Sequence, residues 1–399
     1  MDAPSRVVPP RVRSRCSSRL RGGGSTSSRA AAWQGGATTT MRQRFVRPLV
    51  LVPLLWAASA TAALAQVEIW ASDDVNIKLG ILGQFQGDTI GDPTADANTD
   101  NLFIRRVRVM LGGQVAKNVT FFVETDTPNL GKTVPPAAKN IQPGTIIQDA
   151  YGEFKASQAF AIDAGLMFVP FSHNSLQSAA TLLPIDYGAY TFSQSTATQS
   201  STGRDAGFQA RGYFLADHLE YRVGAFQGVR DTRSHNSFRY VGRIQYNVFD
   251  TDTGFFYSGT SIGKKKFVAI GGAIDAQQHY RGYDADVFVD MPAGPGAFTG
   301  QLDYNHFDGD ITFASLPNQN DYLLEVGYLI PALKLTPVLQ FSNKNVVDTT
   351  KGDENHSSIG LNYWWAAHNA NIKAAYSRIS PTGSTNQNEF TIQLQLFYF

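Results

Sequence analysis

The sequence predicts an all-β protein, a transmembrane antiparallel β-barrel of about sixteen strands with a long loop folded into its interior. The final stretch, Glu389–Phe399, alternates polar and apolar side chains up to an aromatic carboxy terminus, and similar alternation recurs through most of the chain. Successive side chains of a strand point to opposite faces, so this period of two indicates one face in lipid and the other in water.

The first two predicted strands show the pattern most clearly. Residues 75–81 place their apolar side chains in one phase, and in Ile104–Leu111 the apolar phase is opposed by Arg106 and Arg108. Further strands are predicted at 119–127, 147–155, 159–169, 206–215, 219–228, 238–249, 267–278, 282–291, 297–307, 321–330, 333–342, 357–365, 370–379 and 388–399. Short turns alternate with longer polar loops between these strands, as in single-chain bacterial barrels.

Aromatic residues gather near the predicted strand ends, for example Tyr363, Trp364 and Trp365. Amphipathic rings favour the boundary between headgroups and hydrocarbon, which predicts two aromatic girdles. The alternative is that aromatic residues are simply good strand formers. The charged side chains beside them fall in the opposite phase, and this favours girdles.

An export signal is predicted at residues 41–65. Met41–Arg47 is a basic head, Pro48–Ala58 is an apolar middle, and a small-residue motif predicts cleavage between Ala65 and Gln66. The apolar middle is shorter than the roughly 20 residues that a spanning helix needs. Residues 1–40 are predicted to be a disordered upstream extension of the reading frame, with an organelle transit peptide as the alternative, and residues 66–399 to be the barrel.

The charge balance changes once the export signal is removed. Cleavage takes away ten of the 34 basic residues and one of the 33 acidic residues, so the mature chain has a formal net charge of −8. No basic stripe with interleaved aromatics is visible, which argues against a nucleic-acid partner. The single cysteine, Cys16, lies upstream of the signal, and the seven histidines lack ligand spacing. No metal or other cofactor is therefore expected.

Seven short motifs follow one another along the chain: Leu102–Val109, Gln148–Tyr151, Gly165–Ser172, Gly203–Gly207, Val223–Gly228, Ile359–Trp364 and Ile372-Lys373. In this order they resemble the phosphate-selective porin O and P family of outer-membrane channels. The resemblance implies a sixteen-stranded porin of the bacterial outer membrane, a homotrimer in contact with lipid, through which small solutes such as anions or phosphate diffuse passively. Two departures concern selectivity, since Leu182–Tyr187 replaces an acidic-arginine pair and Gln340 stands where arginine is frequent.

Seven cationic residues fall in the inward phase and are the candidate pore-lining, anion-binding residues. A guanidinium matches the oxygen geometry of phosphate, and a channel selects through the charges of its narrowest part. The alternative is that these cations pair with inward carboxylates to give an electrically mixed wall. The seven are Arg106, Arg108, Arg211, Arg222, Arg239, Arg243 and Lys373.

The loop of residues 170–203 is long, and long loops in compact proteins are usually functional or disordered. Its apolar residues indicate that it packs, and folding into the lumen would narrow the pore. The predicted constriction residues are Leu182, Leu183, Asp186, Tyr187 and Tyr190.

Three other functions stay open at this point. A general or cation-leaning porin is the nearest. A membrane-embedded lipase would require Ser175, Ser237 or Ser261 beside a histidine. A passive structural or adhesive barrel would have a plugged lumen. Because the surroundings of these serines are polar loops, the sequence favours a channel without enzymatic activity.

Overall fold

The computed structural model describes residues 67–72, 74–92, 97–134, 138–347 and 352–399. The predicted extension, export signal and cleavage site at Ala65 and Gln66 lie outside these residues. Within them, no helix is long and apolar enough to cross a membrane.

The described chain is almost entirely β-structure. Two single-turn helices, α1 (His173–Leu176) and α2 (Ser195–Thr198), and a 3-10 turn at Pro331–Leu333 interrupt it. The strands are β1 (Val67–Ser72), β2 (Val75–Asp92), β3 (Ala97–Ala116), β4 (Val119–Asp126), β5 (Ile146–Ser157), β6 (Phe160–Phe168), β7 (Arg204–Phe214), β8 (Leu219–Phe226), β9 (Arg239–Asn247), β10 (Phe267–Gln277), β11 (Tyr280–Ala293), β12 (Gly296–Asp308), β13 (Gln319–Leu329), β14 (Leu335–Val346), β15 (Glu354–Ala366), β16 (Ala370–Pro381) and β17 (Gln387–Tyr398).

Strands β2 to β17 form a closed antiparallel ring of sixteen. Each pairs with its neighbour in sequence, and β17 closes the ring against β2, with Phe390 opposite Thr89 and Tyr398 opposite Ile81. The unpredicted strand β1 pairs with β2 just beyond the end of β17, where Val67 lies opposite Leu79. The predicted sixteen-stranded barrel is confirmed, and closure leaves no long unpaired edge.

The two faces of the ring differ as the alternation requires. On β17, Phe390 and Ile392 are each 48% exposed on the outside, whereas Gln393 and Gln395 are fully buried on the inside. The same contrast separates outward Val109 from inward Arg108 on β3. The outer apolar side chains form the surface that meets lipid in a membrane.

The two ends of the barrel differ in the length of their connections. At one end most connections are turns, such as 117–118, 294–295 and 367–369, with residues 248–266 as the long exception. The other end carries longer connections, including 127–145 and 169–203. Outer-membrane barrels have short periplasmic turns and longer extracellular loops, which orients the ring. We call the two the short-turn end and the long-loop end.

The carboxy-terminal aromatic residue packs inside the ring rather than among the outward apolar side chains. The ring of Phe399 meets that of Phe122 edge-on, with centroids 5.7 Å apart. Phe122 is an inward residue in a buried cluster with Leu82 and Met110. Gly80 makes room for this packing, since a Cβ there would lie 2.4 Å from the Phe399 ring.

Candidate functional site in the barrel interior

Residues 169–203, here called the first inward segment, enter from the long-loop end and hydrogen-bond to inward side chains on several walls. On β16, Lys373 Nζ donates to the carbonyl oxygens of Leu182 and Pro184, at 2.6 and 2.9 Å. On β15, Asn362 donates to the carbonyl oxygen of Leu183 at 2.7 Å. Backbone oxygens accept all three bonds. The strand side chains therefore hold the path of the segment whatever side chains the segment carries at these positions.

Asp186 joins the first inward segment to β3, which is three strands from β16 in the ring. Its Oδ2 accepts from Arg105 Nε and Nη2 at 3.0 and 2.6 Å, and its Oδ1 accepts from Arg106 Nη2 at 2.7 Å. Gln340 on β14 donates to the Asp186 carbonyl oxygen at 3.1 Å. Charge-assisted bonds from two guanidiniums are among the strong hydrogen bonds of proteins. About a third of the Asp186 side chain is still solvent-accessible.

Arg105 is a site residue that the alternating pattern missed. By period it belongs to the outward phase with Val107, but β3 carries a bulge there, since Arg106 lies opposite Gln84 and Ile104 opposite Phe85. The extra residue is Arg105, and its side chain turns to Asp186. A bulge re-aims one side chain without breaking the sheet. Two consecutive arginines in a strand are the only sequence signal for it.

The other predicted constriction residues also lie on this segment. Leu182 and Leu183 are buried. The Tyr187 ring stacks on Phe192 with centroids 4.0 Å apart, and its hydroxyl donates to the carbonyl oxygen of Gln177 at 2.8 Å. Tyr190 donates its hydroxyl proton to Glu354 on β15. The side chains therefore pack against each other as well as against the wall.

The start of the first inward segment is held by an acidic wall. The backbone N–H groups of His173 and Asn174, in α1, donate to Asp286 on β11 and Asp303 on β12, at 2.9 and 3.2 Å. Ser172 caps α1 by accepting from the Ser175 N–H at 2.9 Å. Burial lowers the pKa of His173 to about 4, so this histidine is neutral at pH 7.

The six predicted arginines are buried, and each is ion-paired. Arg106 pairs with Asp186, as described above, and Lys373 donates to carbonyl oxygens of the segment instead. The remaining pairs, within one strand or between strands at most two apart in the ring, are Arg108 with Glu124 and Asp126, Arg211 with Glu153 and Asp163, Arg222 with Glu220, Arg239 with Asp275, and Arg243 with Asp284 and Asp286. The interior is thus an electrically mixed wall rather than a row of bare guanidiniums.

Some inward carboxylates have amide partners instead. Asp303 accepts from Gln301, Asp321 from Gln319 and Glu325 from Gln340, at 2.7 to 2.9 Å. In the part of the chain that the structure describes, none of these three forms an ion pair at salt-bridge distance. They lie on β12 and β13, so this side of the interior carries acidic side chains without a cationic partner at salt-bridge distance.

A second segment enters the interior from the short-turn end, and the sequence patterns gave no expectation of it. Residues 252–260, here called the second inward segment, belong to the long connection between β9 and β10. Tyr257, near its centre, is buried and hydrogen-bonds through its backbone to Leu176 and Ser178 of the first inward segment. The signal available was the aromatic run at 255–257 within a connection too long for a turn.

Comparison with known proteins gives a family model that matches part of the chain and a fold. Residues 75–255 match the family model of the phosphate-selective porin O and P family. No curated protein sequence matches the chain significantly. Among solved structures, a loop-deletion mutant of the outer membrane protein OmpT of Vibrio cholerae has a TM-score of 0.54 at 12% identity, over 82% of this chain and all of that one.

Two further barrels are similar to a comparable degree. The outer membrane channel DcaP of Acinetobacter baumannii gives a TM-score of 0.53 at 11% identity, over 83% of this chain and 99% of that one. The anion-selective porin from Comamonas acidovorans gives 0.52 at 10% identity, over 81% and 100%. At such low identity these likenesses establish the fold alone.

Proposed function

We propose that this outer-membrane porin, whose residues 75–255 match the family model of the phosphate-selective porin O and P family, prefers small anions, with phosphate-like solutes as the first candidates. Solutes cross passively through the water that remains between the inward segments and the wall. The first inward segment narrows this path, and Leu182, Leu183, Asp186, Tyr187 and Tyr190 line the narrow part.

The observation that carries the preference is the Arg105–Arg106–Asp186 cluster. Two guanidiniums share one carboxylate there, and the Lys373 ammonium is held on the same segment by the carbonyl oxygens of Leu182 and Pro184. Elsewhere among the described ion pairs, each arginine meets one or two carboxylates. This cluster is therefore the place in the described interior where arginines outnumber their paired carboxylates.

Solvent access at the same place supports the proposal. The Arg105 side chain is 22% exposed and that of Asp186 34%, whereas the six predicted arginines are all less than a tenth exposed. A permeating anion needs cations that it can reach, and several weak contacts are better for passage than one tight site. We therefore assign direct anion contact to Arg105, with the buried charges of Arg106 and Lys373 behind it.

The test is the reversal potential of single channels in planar bilayers under a potassium chloride gradient. The Arg105→Gln/Arg106→Gln double variant should lose anion preference, because two positive charges leave the narrow part. The control is Arg239→Gln with Asp275→Asn, which removes a balanced pair from the same interior. Phosphate added as a competitor should reduce chloride current in the unaltered protein only if phosphate binds along the path.

The uncompensated carboxylates Asp303, Asp321 and Glu325 favour a second candidate, a general or cation-leaning porin. Fixed negative charge on one wall attracts cations and repels anions. Cation selectivity of the unaltered channel, without block by phosphate, would support this candidate and dismiss the first. The fold is the same in both cases.

Two further features belong to the proposal. A homotrimer is implied by the family resemblance, and chemical cross-linking of detergent-extracted protein would test it.

A channel without hydrolytic activity is supported at Ser175, whose hydroxyl donates to the Ser172 carbonyl oxygen at 2.8 Å and accepts from the Ser172 N–H. Lipid hydrolysis that disappears on Ser175→Ala would contradict this, and zero conductance would indicate a structural barrel.

A further inference from the structure

We infer that the second inward segment is a latch. It enters from the short-turn end, narrows the pore there, and locks the first inward segment in place. Arg222, one of the predicted anion-binding residues, is its anchor rather than an anion contact.

The two inward segments are joined by a short run of parallel backbone pairing. Tyr257 N–H donates to the Leu176 carbonyl oxygen at 2.9 Å, and Ser178 N–H donates to the Tyr257 carbonyl oxygen at 3.0 Å. Further along, Thr260 N–H donates to the Thr181 carbonyl oxygen at 3.0 Å. These partners come from opposite ends of the barrel, so displacing one segment removes backbone partners of the other.

Arg222 hydrogen-bonds to the backbone of the second inward segment. Its Nη1 donates to the Phe255 carbonyl oxygen at 2.8 Å and its Nη2 to the Gly254 carbonyl oxygen at 3.2 Å, while Nε donates to Glu220 at 2.7 Å. The side chain is 1% exposed. These bonds occupy the guanidinium fork, and a permeating anion cannot reach it. The Tyr257 hydroxyl completes the anchor by donating to the other Glu220 oxygen at 2.7 Å.

Aromatic packing holds the same segment against the barrel wall. Phe255 stacks on Tyr151 of β5 with centroids 4.2 Å apart, and Phe256 meets Phe122 of β4 at 5.4 Å and Phe168 of β6 at 5.8 Å. Aromatic pairs at such distances add about 0.5–1.5 kcal/mol beyond the area they bury. The segment is a docked element of the interior, and its position does not depend on which solute passes.

Substitution of Arg222 should change conductance but not anion preference, whereas substitution of Arg106 should change anion preference. Arg222→Gln should loosen the latch, so single-channel conductance and current noise should rise while anion preference stays unchanged. The matched control is Arg239→Gln on β9, which also loses a buried ion pair but makes no hydrogen bond to either segment in the described structure. Equal conductance in Arg222→Gln and the control would overturn the latch, and so would a loss of anion preference in Arg222→Gln.

A second experiment keeps the inference testable if Arg222→Gln folds poorly. Ser178→Cys and Ser258→Cys are one residue beyond the bridged pair Gln177 and Tyr257, in register for parallel strands. Oxidation in outer membranes should form an intramolecular disulfide, seen as a mobility shift that reductant reverses, and should quiet the current noise. Absence of this cross-link would show that the segments do not meet. The mobility shift and the current noise do not depend on ion preference. The latch can therefore be disproved while the proposed anion function stands, and the anion function can be disproved while the latch stands.

Discussion

Arg106 and Asp186 lie 80 positions apart in sequence and form an ion pair of 2.7 Å inside the barrel. The carboxylate occupies the position that an oxygen of a permeating anion would take between Arg105 and Arg106. Burial opposes the charge of Asp186, but the two guanidiniums outweigh it and hold the pKa of Asp186 well below its usual range. The pair stays charged at neutral pH, so in the channel that we propose Arg105 meets a permeating anion with one carboxylate already bound.

Asp186→Asn should therefore strengthen anion preference. The amide keeps the size of the side chain but removes the charge that occupies Arg105 and Arg106, so permeating anions meet two uncompensated guanidiniums. Reversal potential under a salt gradient measures the shift, and phosphate should block chloride current at lower concentration than in the unaltered protein. Asp186→Glu retains the charge and is the control. An unchanged reversal potential in Asp186→Asn would separate this cluster from the conduction path.

Removing the acidic side chains of β12 and β13 that lack a cationic partner should also shift selectivity toward anions. Asp303→Asn with Glu325→Gln removes two acidic groups from the interior and keeps the hydrogen bonds from Gln301 and Gln340 geometrically possible. Anion preference should rise because the potential along the path becomes more positive. Asp100→Asn, on the exposed outer face at the long-loop end, is the control. If the control and the double variant shift the reversal potential equally, the two acids do not face the path.

The sequence predicted the barrel because lipid and water impose a two-residue period on every strand, and β17 shows it from Phe390 to Gln395. The same rule predicted the inward phase of Arg106, Arg108 and Lys373 correctly. It failed at Arg105, where the bulge adds a residue that alternation cannot register. It also failed for residues 252–260, since a docked segment has no repeating pattern and depends on distant partners such as Arg222. Most pairings of the arginines could not be read from one strand, because the carboxylates lie on other strands or on the first inward segment; Arg222 with Glu220, both on β8, is the exception.

Acidification should loosen the first inward segment through His173. Burial lowers the pKa of His173 from 6.5 to about 4, so the folded state binds its proton less readily than the unfolded segment does. The stabilisation is therefore fully present above about pH 6.5 and is lost as pH falls toward 4. Asp286 and Asp252 favour protonation of His173 and Arg243 opposes it, and Gln245 lies 3.3 Å from Nδ1.

Current noise measured between pH 7 and pH 4 tests this expectation. Noise should rise across that window in the unaltered protein. His173→Phe preserves stacking on Phe288, where the rings lie 4.3 Å apart, and cannot take up a proton. The pH dependence should therefore flatten in this variant. A variant with the full pH dependence of the unaltered channel would assign the effect to other groups.

The buried aromatic contact at the short-turn end should contribute to barrel stability. Phe122 meets Phe399, Phe256 and Tyr151, so Phe122→Ala removes a ring shared by the wall, the carboxy terminus and the second inward segment. A large-to-small change in a packed interior costs about 3–5 kcal/mol. Urea unfolding of the detergent-solubilised barrel, followed by tryptophan fluorescence, measures the loss. Phe208→Ala, on the lipid face where the ring is 68% exposed, should cost less. A larger loss for Phe208→Ala would mean that lipid contact, rather than packing around Phe122, dominates aromatic stabilisation of this barrel.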